Sequence, residues 1–168
     1  MTIESVKESL KKHQADDRIQ VLGESSATVK DAALALNCKE EEIAKTMAFH
    51  VNDQTVVIVM AGDVKIANAK FKAEFGVKAK MIKGDQVEAL TGHPPGGVCP
   101  FGLKNDVTVY LDESLRRFDT VYPACGSANS AIEITIEELE TFTNFPKWVD
   151  ISKEMNKKKM SKCSSFFT

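Results

Sequence analysis

Residues 55–60, Thr-Val-Val-Ile-Val-Met, carry no charge and are almost wholly apolar. A run this short and this rich in β-branched side chains reads as a strand. A strand apolar on both faces must be covered on both faces, so it belongs in the middle of a sheet. Just upstream, Met47, Phe49 and Val51 alternate with Thr46, Ala48 and His50, the two-residue period of a half-buried strand. Asn52-Asp53-Gln54 between them is a turn signal, so a hairpin is predicted with its second arm central.

The rest of the chain supplies edges and cover. Residues 1–13 read as a helix with Ile3, Val6 and Leu10 on one face. Ile19 to Leu22 is a short strand ending at Gly23. Thr28 to Asp31 resembles a capping box that opens an apolar helix through Leu36, and Asn37 to Glu40 caps a further helix with Glu40, Glu41 and Glu42 in its first turn. Lys45 is expected to end that helix. Lys65 to Phe75 is predicted helical and stopped by Gly76; Asp85 to Thr91 is a second short helix stopped by Gly92. Val107, Val109 and Leu111 alternate as a strand, and Glu113 to Phe118 form a short helix. Thr120–Cys125 and Ala131–Ile136 are two strands joined through a Gly-Ser-Ala-Asn turn, and Thr135 to Glu138 is a capping box for a last helix. Pro146 and Trp148 pack on the body. The expectation is one α+β domain over residues 1–155, with a mixed or antiparallel sheet of about six or seven strands and flanking helices. Residues 156–168 form a flexible, lysine-rich tail.

Composition narrows the function classes. With 22 Lys+Arg against 24 Asp+Glu in 168 residues the net charge is −2, which excludes a globally basic nucleic-acid coat but leaves room for a local basic groove. No apolar stretch approaches the roughly 18 residues of a membrane helix. The polar N-terminal stretch has no signal core, so a cytoplasmic protein with no membrane partner is expected. Cys38, Cys99, Cys125 and Cys163 show no C-x-x-C pair, so neither a metal site nor a cofactor is expected, and most of the thiols are read as small buried apolar groups.

Three stretches carry potential chemistry. Thr91-Gly-His-Pro-Pro-Gly-Gly-Val-Cys-Pro-Phe-Gly102 holds four of the nine glycines and three of the five prolines. Such a loop is semi-rigid and can aim free amides at an anion or an oxyanion; it is equally an ordinary surface connection. Gly126-Ser127-Ala128-Asn129 is a tight turn whose Ser127 and Asn129 can orient a small polar ligand, or simply close a hairpin. Lys45 is either a bound cation or a solvated one. His93, six residues before Cys99, permits a cysteine–histidine nucleophile without requiring contact. Lys65, Lys70, Lys72, Lys78, Lys80 and Lys83 make the one basic segment of the body, which reads as a phosphate-binding patch or a solvated face.

Ala44-Lys45-Thr46 entering a strand, Gly96-Gly97-Val98-Cys99-Pro100-Phe101-Gly102, and Cys125-Gly126-Ser127-Ala128-Asn129 followed by Ala131-Ile-Glu-Ile134 occur in one order over roughly residues 20–145. In this the sequence resembles the YbaK/prolyl-tRNA-synthetase-associated editing domains, which are aminoacyl-tRNA deacylases. The resemblance implies a YbaK-like mixed sheet with a central pocket. It also implies a trans-editing hydrolase that cleaves the ester on the 3′ acceptor end of a mischarged tRNA, tRNA(Pro) with a small non-cognate amino acid. Prolyl-tRNA synthetase is then a possible partner. Lys45 matches the lysine that holds the tRNA 3′ end. Gly96, Gly97, Val98 and Pro100 match the loop that holds the substrate carbonyl with backbone amides. Gly126, Ser127, Ala128 and Asn129 match the turn that shapes the aminoacyl pocket, and His93 is grouped with these substrate-binding residues. The attacker is water or the neighbouring ribose hydroxyl, so no Ser–His–Asp constellation is required. Ser127-Ala-Asn129 matches neither the glycine-rich basic turn of the cysteine-clearing branch nor the nearby histidine of the alanine-clearing branch. A serine, threonine or alanine ester is the expectation. The alternative is a non-catalytic tRNA-binding or regulatory module on the same fold.

Overall fold

The structure, a computed structural model, describes residues 2–23, 28–127 and 129–154. The predicted hairpin is its centre. β2 (Ile43–Val51) and β3 (Gln54–Ala61) pair antiparallel in one register from Ala44↔Ala61 to Val51↔Gln54. Two neighbours run parallel to them: β5 (Val107–Asp112) beside β3, and β6 (Thr120–Pro123) beside β2. β8 (Ile134–Thr135) and β9 (Lys147–Val149) form the edges, so a six-stranded mixed sheet runs β8-β6-β2-β3-β5-β9. β1 (Gln20–Val21) pairs with β7 (Ser130–Ala131), and β4 (Val64–Ile66) pairs with β10 (Ser152–Glu154), in two small satellite sheets.

β3 is covered on both faces, as its composition demands. Val56, Ile58 and Met60 pack with Phe49, Phe71 and Ile151 on one side. On the other, Val57 joins Ala48, Ile82 and Val87, while Val59 meets Leu10, Cys99, Phe101 and Leu111. Each such buried side chain contributes roughly 1.5–3 kcal/mol of transfer free energy. The covering helices are α1 (Thr2–Lys11), α2 (Val29–Leu36), α3 (Asn68–Phe75), α4 (Gly84–Thr91) and α5 (Ile136–Phe142). Thr28 caps α2 by accepting from the Asp31 amide, and Thr135 with Glu138 forms the full capping box of α5.

Four expectations need correction. The three glutamates form a single 3-10 turn, Glu40–Glu42, and the strand begins at Ile43, so Lys45 lies inside β2 and not at a helix end. The helix expected from Lys65 starts at Asn68, because Val64–Ile66 is taken as β4 by pairing with β10. Ala131–Ile136 is two short strands that serve different sheets. The segment after α5, for which no strand is expected, adds β9 parallel to β5 and then β10. The tail expected from 156 onward lies outside the described residues, as does Cys163.

Asp112 explains why that C-terminal segment docks. Its buried carboxylate accepts from the Ile151 amide at 2.9 Å, the Ser152 hydroxyl at 2.6 Å and the Ser114 amide at 3.0 Å. Asp112→Ala strands two buried donors and one part-buried donor, so we expect a loss of about 3 kcal/mol in urea unfolding. A midpoint unchanged from wild type would show that the anchor carries no stability.

Candidate active site

The cavity of interest arises where β2 changes partners. β2 pairs with β6 only at Ile43↔Tyr122 and Ala44↔Pro123. Further along the same edge, the Ile82 amide donates to Ala48 O and the His50 amide to Lys80 O. Between these two attachments the edge of β2 is open at Lys45–Met47. By the alternation of a strand, Thr46 presents its N–H and C=O on the same edge as Ala48 and His50, hence to the opening. A cavity of about 180 Å³ fills it, with Lys45, Thr46, Gly96, Val98, Tyr122 and Ser130 in its walls.

Two of the sequence motifs therefore meet directly: Lys45 from β2, and Gly96 and Val98 from the glycine–proline loop. The third meets them through packing. A Cβ placed on Gly97 would lie 2.7 Å from the Ser127 amide nitrogen and 2.9 Å from the Gly126 carbonyl carbon. The loop thus lies flat on the turn, at a separation only glycine permits. Ser127 and Asn129 do not line the cavity themselves. Ser127 Oγ donates to Asn129 Oδ1 at 3.0 Å and stands 2.7 Å from Ser130 Oγ, and Ser130 is in the wall. Asn129 Nδ2 donates to Leu22 O at 3.2 Å, fastening the turn to β1. Gly126 makes the bend with φ +95°. Ala128 lies outside the described residues.

The loop's donors are not equivalent. Gly97 N–H is consumed by Pro94 O at 3.0 Å, and Pro100 has no N–H. Among the described residues the amides of Gly96 and Val98, both in the cavity wall, have no partner, so they are the ones available to an oxyanion.

Lys45 is half-buried, and its ammonium donates to the Val64 carbonyl. Burial pulls its pKa below the ordinary lysine value, opposed by the Asp63 carboxylate. Asp63 is itself held by the Arg117 guanidinium through bonds of 2.5 and 3.1 Å. One Lys45 proton is spent on Val64, which leaves two for a ligand.

His93 does not line the cavity. It is fully buried behind the loop, with Nε2 2.6 Å from Phe101 O. A carbonyl only accepts, so Nε2 carries the proton, and Nδ1 is left buried without a partner. Cys99 Sγ is 3.6 Å from that protonated nitrogen, which therefore cannot accept the thiol proton. Burial holds the Cys99 pKa up at about 12, and its S–H donates to Phe101 O at 3.5 Å. The pair pins the loop and makes no thiolate. Cys99→Ser is thus expected to keep more than half of wild-type activity, and iodoacetamide at pH 8 to leave it intact. A folded but inactive Cys99→Ser would reverse that reading.

Thr46, Tyr122, Ser130 and Thr28 also line the cavity, and sequence reasoning assigns none of them a role in the site, although Thr46 belongs to the Lys45 motif and Thr28 to a capping box. Thr46 carried the faintest signal, a hydroxyl beside Lys45 in a half-apolar strand; its Oγ1 is buried with no partner among the described residues. Among those residues no three His, Cys, Asp or Glu side chains cluster as a metal site. No described helix is long and apolar enough to cross a membrane.

The sequence matches the family described as "Aminoacyl-tRNA editing domain" over residues 23–142. An uncharacterised Bacillus subtilis protein, YwhH, is 45% identical over 155 residues, covering 92% of this chain and 99% of its own. An Enterococcus faecalis protein, EbsC, named as a candidate Cys-tRNA(Pro)/Cys-tRNA(Cys) deacylase, is 28% identical over 72% of this chain and 75% of its own. A crystal structure described as a candidate trans-editing enzyme for prolyl tRNA synthetase superposes with a TM-score of 0.81 at 24% identity, covering 90% of this chain and 97% of the other.

Proposed function

The chain belongs to the aminoacyl-tRNA editing domain family, and from that membership we propose that it hydrolyses the ester of a mischarged tRNA carrying a small amino acid. The observation that supports the reading is the meeting of Lys45, Gly96, Val98 and Ser130 in the walls of one cavity, with Ser127 packed behind them against Ser130 and Gly97. In this mechanism Lys45 holds a phosphate of the 3′ end as a compact cation. The free amides of Gly96 and Val98 receive the charge that grows on the ester carbonyl oxygen. Water adds to the carbonyl carbon and the bond to the ribose oxygen breaks. The water's proton passes to that oxygen, with the neighbouring ribose hydroxyl placed to relay it. An aminoacyl ester is already activated, so positioning and oxyanion donors supply the rate; one donor is typically worth about 10²–10³-fold.

The size of the cavity supports a small side chain, since about 180 Å³ falls below the roughly 300 Å³ at which drug-sized pockets begin. Val29, Ala32, Ile43 and Ala131 are its apolar lining residues, and Thr28, Lys45, Thr46 and Ser130 are among its polar ones. The test is a panel of tRNA(Pro) charged with alanine, serine, threonine, cysteine or proline. We expect accelerated ester loss for at least one small non-cognate amino acid and slow loss of the cognate proline. Salt-dependent tRNA binding with no acceleration on any ester would replace the hydrolase with a binding module. Prolyl-tRNA synthetase is the proposed partner, and co-elution of the two proteins tests it.

A further inference from the structure

We propose that Lys78, Lys80 and Lys83 form a basic lip that grips the RNA strand a few nucleotides before the acylated ribose enters the cavity. The inference rests on the deacylase reading for what the cavity holds, but on separate residues for how the strand reaches it. All three lysines are exposed, and among the described residues none has a carboxylate at ion-pair distance. Neighbouring charges are already committed: Lys70 pairs with Asp150, and Glu74 with Lys147. In a chain of net charge −2, unpaired cations gathered on one segment make a local field of opposite sign to the whole.

Their position is fixed by the same strand edge that builds the cavity. Lys80 O accepts from the His50 amide, and the Ile82 amide donates to Ala48 O, so residues 80–82 prolong the edge that is open at Lys45–Met47. Ile82 packs in one apolar cluster with Val98, a cavity wall residue, and a Cβ on Gly84 would stand 3.9 Å from Pro95 of the loop. The lip therefore adjoins both walls. At its far end Lys78 and Lys72 line a shallow cleft with Asn68, Ala69 and Ala79. From Thr46 to His50 is four residues of β2, about 13 Å at roughly 3.3 Å per residue. Stacked nucleotides advance about 3.4 Å each along a strand, so the lip meets phosphates about four nucleotides from the acylated end.

Fluorescein-labelled, unacylated RNA oligomers with the tRNA 3′ sequence, three to eight nucleotides long, provide the probe. Wild-type affinity at low salt is expected to rise about tenfold between three and six nucleotides. The triple variant Lys78→Ala, Lys80→Ala, Lys83→Ala is expected to lose that rise. The slope of log affinity against log salt is also expected to fall by about 2, from three phosphates at about 0.7 each. Lys7→Ala, Lys11→Ala, Lys12→Ala removes the same charge from α1 and the turn that follows it and serves as the comparison, expected to change affinity less than threefold. Melting curves matching wild type for both variants complete the control. A length-dependent gain that survives in the lip variant, no gain in wild type, or an equal loss in the α1 variant would each overturn the proposal. If wild type shows the gain but hydrolyses no mischarged tRNA, the deacylase reading fails while the lip stands.

Discussion

Lys45→Ala is expected to lower kcat/KM for a mischarged tRNA by about 10²–10³-fold, roughly 3–4 kcal/mol of transition-state binding, with little change in melting temperature. The reason is the asymmetry of its surroundings. In the fold Lys45 makes one hydrogen bond to protein, to the Val64 carbonyl, and lies at the mouth of a cavity that a solvent molecule can enter in its place. Removing it therefore strands little that water cannot satisfy. For a phosphate the loss is larger, because the ammonium is half-buried and its charge is poorly screened there. Lys45→Met keeps the stem without the charge and should be as inactive as alanine. Lys45→Arg should recover little, since a planar fork does not replace a compact cation in so small a space. A small aminoacyl ester lacking any phosphate separates the roles: there Lys45→Ala should cost less than about fivefold. Undiminished tRNA turnover by Lys45→Ala would discard the phosphate contact.

What the sequence made legible follows from range. The β2–β3 hairpin was readable because both arms, the turn and the burial pattern lie within residues 46–60. The Thr135 capping box was readable because its partners are three residues apart. β4, β9 and β10 were not: each is three residues long and becomes a strand only by pairing with a segment about 40 to 90 residues away. Lys45 was noticed but misplaced, because three glutamates in a row mimic the first turn of a helix that Ile43 and the β6 rung do not allow. In the site, residue types that advertise chemistry drew attention in proportion to their rarity. Lys45 and the glycines were found. His93, the most conspicuous member of the loop, proves to be a buried pin for the Phe101 carbonyl. Thr46 and Ser130 stayed hidden, since a hydroxyl in a strand has no pattern until the strand edge beside it is seen to be open.

Gly97→Ala is expected to lower activity about as far as Lys45→Ala does, and by a different route. The added methyl would stand 2.7 Å from the Ser127 amide nitrogen, 2.8 Å from Ser127 Cα and 2.9 Å from the Gly126 carbonyl carbon. All three are backbone atoms, so no rotamer can relieve the clash; either the loop lifts or the turn retreats. Lifting the loop breaks the Gly97–Pro94 bond and carries the free Gly96 and Val98 amides away from the carbonyl they must meet. Moving the turn pulls Ser130 out of the wall through its 2.7 Å contact with Ser127. Overpacking of this kind typically costs about 1–3 kcal/mol, so the protein should fold with a lowered melting temperature. Yet displacements near 1 Å at oriented donors cost far more in rate, and the residual kcat/KM should be below about 1% of wild type. Gly84→Ala is the matched comparison: its methyl meets only Pro95 Cγ at 3.9 Å, at a helical position where alanine is favoured, so stability should hold or rise. A Gly97→Ala protein with full activity would mean that loop and turn need not touch, and the cavity would lose the contact that joins its third motif to the other two.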